Sequence, residues 1–189
     1  FGANYSDDQV DEWAKQDCML THIHPVCVQA NQLYTGAIAH AIRTGVDRQT
    51  LYDYIVSKAQ FLEVDSSISK VIEMARTEPP QDYTFQKGWV LIAFQNALWQ
   101  LLHAENTEEG VVDTVMQGGD TDTNACICGA LLGAVYGIES IPQQWINTVT
   151  NCKPNANNSE VEHPRPEYYW PVDILELAVE LLSIEDYEC

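Results

Sequence analysis

The amino-acid sequence predicts an all-α fold. Apolar residues recur at intervals of three and four along most of the chain, which places them on one face of a helix. No segment sustains the apolar and polar alternation that is typical of a β-strand. Capping residues, glycines and prolines separate the periodic segments, and this punctuation indicates successive helices joined by polar loops.

The first half of the sequence contains four predicted helices. Ser6 followed by two aspartates is typical of a helix N-terminus, and the apolar spacing continues this helix to Cys18. Pro25 suits the first turn of a second helix, which is expected to end at Gly45. Two further helices with one apolar face each are predicted at residues 47–59 and 65–76.

The second half begins with residues 89–102, which are largely apolar on all sides and therefore predict a central, buried helix. Further helices are predicted at residues 107–116, 122–136, 142–149 and 173–183. Gly129 and Gly133 lie within the second of these, where their lack of a side chain should allow another helix to approach closely. Residues 152–171 are rich in asparagine, proline and charge and predict a long loop.

The length and charge of the chain limit what it can bind. Its 189 residues and 21.2 kDa suit a single domain over residues 1–189 with a sizeable core. The 28 acidic and 9 basic residues give a net charge of −19, which argues against nucleic acid and anionic membranes, since phosphates need a basic surface. A metal site or a cationic partner stays compatible with this charge. No apolar run reaches the roughly 18 residues of a membrane span.

The six cysteines are too sparse for a disulfide scaffold, and reduced, mostly buried thiols are expected. A zinc cluster of Cys126, Cys128, Cys152 and His163 can be imagined, but the spacing fits no known zinc pattern. The first residues lack the basic and apolar segments of a secretory signal, so a cytoplasmic location is expected, with an effector or secreted role left open. They also lack an initiator methionine, as in a processed chain or a fragment.

One segment carries the strongest chemical signal. Residues 118–124 read Gly-Gly-Asp-Thr-Asp-Thr-Asn and lie at the start of a predicted helix. The glycines permit a tight backbone path that can present Asp120 and Asp122 together, and carboxylate and hydroxyl oxygens suit hard cations such as Mg²⁺. The same acids could instead cap the helix N-terminus in a solvated loop. From the residues alone, a Mg²⁺ site and an acidic helix cap both stay open.

This segment and several others resemble the ADP-ribosylglycohydrolase family. The matching segments, in the order in which the family has them, are residues 21–25, 88–99, 118–125, 129–137, 141–145 and 165–178. The first of these reads Thr-His-Ile-His-Pro, and the third contains the two aspartates of the chemical signal. The resemblance covers roughly residues 21–182 and is most specific at the aspartates.

The resemblance implies an all-α orthogonal multi-helix bundle and a Mg²⁺-dependent hydrolase. Members of this family cleave the glycosidic bond between ADP-ribose and a modified protein side chain or small acceptor, with two Mg²⁺ ions beside the ribose. The positions that match the family's metal ligands are Asp120, Asp122 and Thr123. The positions implied to bind substrate are His22, Gly88, Trp89, Gly118 and Gly119. Simpler interpretations stand beside these, with His22 as a backbone-satisfied, helix-terminal histidine and Trp89 as a core residue.

Three motifs of the family's N-terminal half do not occur in this sequence, namely Gly-Asp-x-x-Gly, Thr-Asp-Asp and an Asn-Gly-rich segment. The resemblance therefore implies the C-terminal part of a larger domain and identifies no catalytic carboxylate here. A separate chain, proteolysis or loss in this member would each explain the difference. The expected partners are an ADP-ribosylated protein or a small-molecule ADP-ribose conjugate, and the family's N-terminal part as a separate chain is a further candidate.

Two other functions are compatible with the same residues. A relative without the N-terminal motifs could be a catalytically inactive structural or ADP-ribose-binding protein on the same scaffold. A small regulatory module that docks a basic protein rests on the net charge alone. If ADP-ribose binds, its anionic diphosphate must be held by backbone amides, helix N-termini and Mg²⁺, because the charge of −19 argues against a basic patch.

Overall fold

The computed structural model describes residues 2–157 and 159–184, and all regular secondary structure in these residues is helical. This confirms the predicted all-α class. The α-helices are α1 (Asp7–Met19), α2 (Pro25–Thr44), α3 (Arg48–Phe61), α4 (Ser66–Met74), α5 (Val90–His103), α6 (Thr107–Met116), α7 (Thr121–Tyr136), α8 (Gln143–Thr150) and α9 (Ile174–Leu182). Short 3₁₀ turns occur at Gly2–Asn4, Ile138–Ser140, Glu167–Tyr169 and Pro171–Asp173. The predicted loop at 152–171 therefore contains one complete helical turn and the start of another.

The backbone divides into two compact units. The larger unit, Gly2–Ser140, contains α1 to α7, and the smaller unit begins at Ile141 and contains α8 and α9. Within the described residues, no helix combines the length and apolar character that crossing a bilayer requires.

The helix boundaries follow from local capping, as the sequence predicts. The Ser6 hydroxyl accepts a hydrogen bond from the backbone N–H of Gln9, and the Asp47 and Asp65 carboxylates cap α3 and α4 in the same way. At the other end of α2, Gly45 takes a left-handed conformation with φ of 63° and donates its N–H to the Ala41 carbonyl. These bonds satisfy backbone groups that a helix end leaves without partners.

The core of the larger unit surrounds α5. Nine of the fourteen residues of this helix are buried, which confirms the prediction of a central helix from its apolar residues. Helices α2, α3, α4 and α7 all pack against it. The largest fully buried apolar side chains around it are Leu33, Leu51, Tyr52, Ile55, Ile68, Leu98, Leu101, Leu131 and Leu132. Each such side chain contributes about 1.5–3 kcal/mol through its removal from water.

The close contact between α6 and α7 differs from the sequence prediction. A Cβ at Gly133 would have no described atom within 4 Å, so the prediction that this glycine permits close packing is wrong. At Gly129 a Cβ would lie 3.2 Å from Val111 Cγ2, whereas at Gly110 it would overlap the Leu132 side chain. The critical glycine therefore belongs to α6, and the spacing of apolar residues did not indicate it.

The described cysteines, Cys18, Cys27, Cys126, Cys128 and Cys152, are all free thiols. Cys18 and Cys128 are buried as expected, but Cys126 and Cys152 are exposed, so the expectation of mostly buried thiols is wrong for these two. Cys126 lies on the opposite side of α7 from the core, which takes up Cys128 instead. Cys189 lies outside the described residues.

A buried ion pair joins α1 to α3. The Lys58 Nζ lies 2.5 Å from the Asp11 Oδ1, and the two side chains are only 7% and 14% exposed. Burial raises the pKa of the Asp11 carboxyl, and the nearby Lys58 ammonium opposes this shift. The ion pair lies close to Gly36 of α2, where any Cβ would overlap the Lys58 Nζ. Lys58 therefore takes part in the packing of α1, α2 and α3 against one another.

We expect Lys58→Met to lower the free energy of unfolding by about 3 kcal/mol at pH 7, because it leaves a desolvated carboxylate without a counter-charge. The matched control is Lys15→Met, since Lys15 pairs with Glu12 at the surface, where the side chains are 47% and 54% exposed. That variant should change stability by no more than about 0.5 kcal/mol. Urea denaturation of the natural polypeptide carrying this sequence measures both, and equal losses would contradict the prediction.

The loss in Lys58→Met should also depend on pH. Without the lysine, burial raises the pKa of Asp11 in the folded state above its unfolded value, so the folded state binds more protons. The destabilisation should therefore be largest at neutral pH and shrink as the pH falls toward 4 and Asp11 becomes protonated. Urea denaturation at pH 7, 5.5 and 4 measures this trend, and a loss that stays constant would show that Asp11 is not its source.

Candidate functional site

One cavity in the larger unit collects most of the predicted site residues. It has a volume of about 510 Å³ and is lined by residues from the α1–α2 junction, the segment before α5 and the first turns of α7. The predicted site residues that line it are His22, Gly88, Trp89, Asp120 and Thr123. They come from three stretches of sequence that only the fold brings together. Their roles in binding metal or substrate stay predictions.

The aspartate segment enters α7 through a tight glycine turn. Gly118 and Gly119 have φ angles of 78° and 75°, a region that favours glycine. A Cβ at Gly119 would overlap the backbone carbonyl of Tyr83, whereas a Cβ at Gly118 would meet no described atom within 4 Å. Neither glycine is among the described residues that line the cavity. The turn thus explains both glycines by backbone geometry, and their predicted part in substrate binding stays a prediction.

The Tyr83 backbone that Gly119 contacts is held by a buried chain of hydrogen bonds. The Tyr83 hydroxyl donates to Asn96 Oδ1 at 2.8 Å, and Asn96 Nδ2 donates to Thr114 Oγ1 at 3.0 Å. The Thr114 hydroxyl in turn donates to the Gly110 carbonyl at 2.7 Å. This chain ties the aspartate turn to α5 and α6. Sequence reasoning missed Tyr83, because no local pattern connects it with a glycine 36 residues away.

The side chains of the two aspartates interact with each other, but only Asp120 lines the cavity. Asp120, Thr123, Asn124 and Ile127 follow the spacing of one helical face and line the cavity. Asp122 lies in the first turn and is fully exposed to solvent. The backbone N–H of Thr123 and the neighbouring Asp120 side chain hold the pKa of Asp122 below its ordinary value. Asp122 is therefore ionised at neutral pH, beside the cavity rather than within its wall.

Asp120 occupies the N-cap position of α7, but its side chain makes no capping hydrogen bond to the described chain. By contrast, the N-cap side chains of α2, α3, α4 and α6 all accept a backbone hydrogen bond. The alternative interpretation of this aspartate as a simple helix cap therefore does not account for its carboxylate. The Asp120 side chain interacts instead with the neighbouring Asp122 side chain while it lines the cavity.

The oxygen donors at the start of α7 fit a partial Mg²⁺ site. Asp120, Asp122 and Thr123 offer two carboxylates and a hydroxyl, which are ligands that hard cations prefer. No group of three or more His, Cys, Asp or Glu side chains that could hold a metal occurs within residues 2–157 and 159–184. This smaller donor set is still compatible with Mg²⁺, which commonly binds one or two carboxylates and keeps several waters.

Two histidines from the α1–α2 junction also line the cavity. His24 caps α2, where its Nδ1 accepts a hydrogen bond from the Val26 N–H at 3.3 Å. The neutral ring therefore carries its proton on Nε2, which can donate to a ligand. His22 is exposed, and its Nδ1 lies 2.9 Å from the Thr21 hydroxyl rather than against a backbone group. The sequence interpretation included His22 but missed His24, whose position directly before Pro25 marks it as a helix cap.

Trp89 contacts both the core and the cavity, and its predicted part in substrate binding stays a prediction. Its ring packs partly against the hydrophobic core, and it also lines the cavity beside the exposed Gly88. The His24 ring meets it edge-on, with 5.8 Å between the ring centroids. Trp89 also precedes α5 without capping that helix in the described chain. The result is an aromatic wall between the histidines and the first turn of α5.

The charges around the cavity are mixed. Asp17 and Asp120 bring negative charge to its lining, and Lys87 brings a positive charge that also helps to lower the pKa of Asp122. Helices α5 and α7 both begin at this cavity, and the first turn of α7 already has the carboxylates of Asp120 and Asp122. Within the described residues α5 has no side-chain cap, so its first backbone N–H groups and the positive end of its dipole favour an anion.

Asn124 is a further residue that sequence reasoning missed. It lies one residue after Thr123 and lines the same cavity, yet it is only 2% exposed. Its Nδ2 has no hydrogen-bond partner among residues 2–157 and 159–184. The sequence offered one signal, since Asn124 stands four residues after Asp120 and therefore on the same helical face.

Comparison with known proteins identifies the family. The sequence model of the ADP-ribosylglycohydrolases matches residues 1–182. The all-helical fold is what the resemblance of the sequence led us to expect. The chain belongs to the ADP-ribosylglycohydrolase family.

The individual relatives agree with this assignment. The chain is 29% identical over 169 residues to an Acanthamoeba polyphaga mimivirus protein named as an ADP-ribosyl glycohydrolase, covering 82% of this chain and 51% of that protein. It is 25% identical to an ADP-ribosylhydrolase of Gallus gallus, covering 75% and 48%. It is 23% identical to the ADP-ribosyl-[dinitrogen reductase] glycohydrolase of Rhodospirillum rubrum, covering 73% and 42%.

A solved structure extends the likeness to the fold. It is described as an ADP-ribosylglycohydrolase-related protein complex, and it superposes with a TM-score of 0.67 at 25% identity. The match covers 77% of this chain and 48% of that one. The family and the helical fold are thereby confirmed. The chain spans about half the length of the curated relatives it matches.

The close contact at Gly119 leads to a prediction about stability. Gly119→Ala should lower the free energy of unfolding by about 3 kcal/mol, because the new methyl strains the backbone and displaces the Tyr83 carbonyl. Gly118→Ala has the same backbone strain without the clash and should lose about 1 kcal/mol. Urea denaturation measures both variants. Losses of the same size would show that the Tyr83 contact does not restrain the turn.

Proposed function

We propose that the protein carrying this sequence is a Mg²⁺-dependent ADP-ribosylglycohydrolase. It would hydrolyse the glycosidic bond between ADP-ribose and a modified protein side chain or small acceptor. The observation that carries the proposal is the juxtaposition of Asp120 and Thr123 with His22 and Trp89 around one cavity. The family membership of the chain and the names of its relatives support the reaction class.

The metal would be held at the start of α7. Asp120 and Asp122 supply negative charge, and the Thr123 hydroxyl supplies a neutral oxygen. The lowered pKa of Asp122 supports this role, because protons compete less with a cation for its carboxylate at neutral pH. When bound, Mg²⁺ supplies positive charge that orients ribose hydroxyls and polarises the bond to be broken.

The diphosphate of ADP-ribose would lie near the first turn of α5, because the carboxylates at the start of α7 repel an anion. The uncapped backbone N–H groups of α5 and Lys87 provide donors for an anion in a chain whose net charge is −19. The Nε2 of His24 offers a further donor in the cavity lining. Binding through localised donors accounts for the recognition of an anion without a basic surface.

The adenine would occupy an apolar recess of about 250 Å³ that shares several lining residues with the main cavity. Tyr34 and Phe94 provide aromatic surface there, and the Tyr34 hydroxyl is held by the Ile127 carbonyl at 2.8 Å. An aromatic, apolar lining suits a planar base, because removing the faces of the base from water costs little free energy.

The hydrolysis adds water to C1 of the ribose, breaks the bond from C1 to the acceptor, and returns a proton to the leaving acceptor atom. A carboxylate would serve as the base that takes the proton from water. The described residues of this chain do not identify that carboxylate. The part of this chain is therefore to bind and orient the substrate and to share in holding Mg²⁺. The cytoplasmic location and the identity of the acceptor stay predictions.

An ADP-ribose-binding relative without catalysis is the second candidate. It is favoured by the small donor set, since the described residues contain no metal-binding group of three or more acidic, histidine or cysteine side chains. The two candidates differ in one measurable respect. Both predict binding of ADP-ribose, but only the first predicts release of the acceptor.

The proposal predicts the behaviour of two conservative variants. Asp120→Asn and Asp122→Asn should each weaken Mg²⁺ binding by at least about tenfold, because each removes a charged ligand without changing side-chain size. Each should also slow the hydrolysis of ADP-ribosyl-arginine or ADP-ribosyl-serine on the order of a hundredfold. Titration calorimetry with Mg²⁺ and chromatographic detection of free ADP-ribose measure the two effects in the natural polypeptide.

The matched control is Asp8→Asn. Asp8 is an exposed acid in the first turn of α1, as Asp122 is in α7, but it lies away from the cavity. This variant should bind Mg²⁺ and hydrolyse substrate like the unmodified protein. Unchanged Mg²⁺ binding and turnover in both Asp120→Asn and Asp122→Asn would refute the metal site. Binding of ADP-ribose by the unmodified protein without any turnover would favour the second candidate.

A further inference from the structure

Asn124 is a buried polar side chain in the cavity lining that takes no part in the proposed binding of Mg²⁺, diphosphate or adenine. Only 2% of its surface is exposed, and its Nδ2 has no partner in the described parts of the chain. A buried amide without a hydrogen bond loses the stabilisation that water gave it. Such groups are rare in folded proteins, and each one calls for a specific explanation.

The neighbouring core shows that this fold can satisfy a buried asparagine. Asn96 in α5 is 0% exposed, and it accepts a hydrogen bond from Tyr83 and donates one to Thr114. Asn124 has equivalent burial but lacks such a partner for its amide. The difference lies in location, because Asn124 lines the cavity and Asn96 does not.

The position of Asn124 on α7 places it beside the proposed metal ligands. It follows Thr123 directly and stands four residues after Asp120, and its backbone N–H bonds to the Asp120 carbonyl at 3.0 Å. All three residues line the cavity. The helix therefore holds a neutral donor next to a carboxylate and a hydroxyl at the same end of the cavity.

We propose that the Asn124 amide is a substrate-recognition group that donates a hydrogen bond to an oxygen of the terminal ribose of ADP-ribose. This inference rests on the proposed function and adds a residue that recognises the sugar. A neutral oxygen fits better than a phosphate, because the Asp120 carboxylate on the same face repels an anion. A ribose oxygen can accept the bond and remain close to the oxygens at the start of α7.

The test compares ligands with and without the sugar in the natural polypeptide. Asn124→Leu keeps the approximate size of the side chain but removes its donor, and Asn124→Ala removes the donor without filling the cavity. Titration calorimetry with ADP-ribose and Mg²⁺ should show binding weakened by about tenfold in both variants. Binding of ADP, which lacks the terminal ribose, should stay within about twofold of the unmodified protein.

The matched control is Gln95→Leu, because it removes a buried amide that has a partner, lies outside the cavity and takes no part in holding the aspartate turn. It should lower the melting temperature by about 3 °C, since it leaves the Glu78 carbonyl without this donor. Its affinity for ADP-ribose should stay within about twofold. Asn124→Leu should show the reverse pattern, with an unchanged or higher melting temperature and weakened binding.

Three results would overturn the inference, and they are distinguishable from one another. Normal ADP-ribose binding by both Asn124 variants would show that the amide does not contact the ligand. Equal losses for ADP-ribose and ADP would place its partner on the nucleotide rather than on the sugar. Absence of ADP-ribose binding in the unmodified protein would refute the proposed function itself, and this inference with it.

Discussion

The contact between Gly119 and the Tyr83 carbonyl is the constraint on which the site depends. Only a residue without a Cβ can lie there, and only a glycine readily adopts the positive φ of 75° that the turn requires. The phenol of Tyr83 is anchored in turn to Asn96 and Thr114. The position of Asp120 is therefore set by the core of the larger unit rather than by the loop that carries it.

The start of α7 assigns different environments to the residues of one motif. The Asp120 and Asp122 side chains interact with each other, yet only Asp120 lines the cavity and Asp122 is exposed to solvent. The residue that joins Asp120 and Thr123 on the cavity side is Asn124. A motif that reads as a run of acids and hydroxyls is thus divided by the helix into a solvent-facing and a cavity-facing set.

The sequence was a good guide to local structure and a weaker one to contacts. Ser6 caps α1 as predicted, and Asp47 and Asp65 cap the helices that were predicted to begin at these residues, since a cap bonds to backbone groups only two or three residues away. The prediction for Gly133 failed because close packing depends on which face meets the neighbouring helix. The glycine that faces the neighbouring helix is Gly110 on α6, where a Cβ would overlap the Leu132 side chain. The sequence alone does not show that these two residues meet.

The sequence by itself determined the succession of helices, the buried character of α5 and the membership of the family. All three are encoded in residue types and in spacings of a few positions, which act through local hydrogen bonds and the periodicity of the helix. Only the tertiary structure decided that His24, Trp89 and Asp120 border one cavity, and that the amide of Asn124 is buried there without a partner. These relations join residues far apart in the chain, and packing brings such residues together without leaving a periodic trace in the sequence.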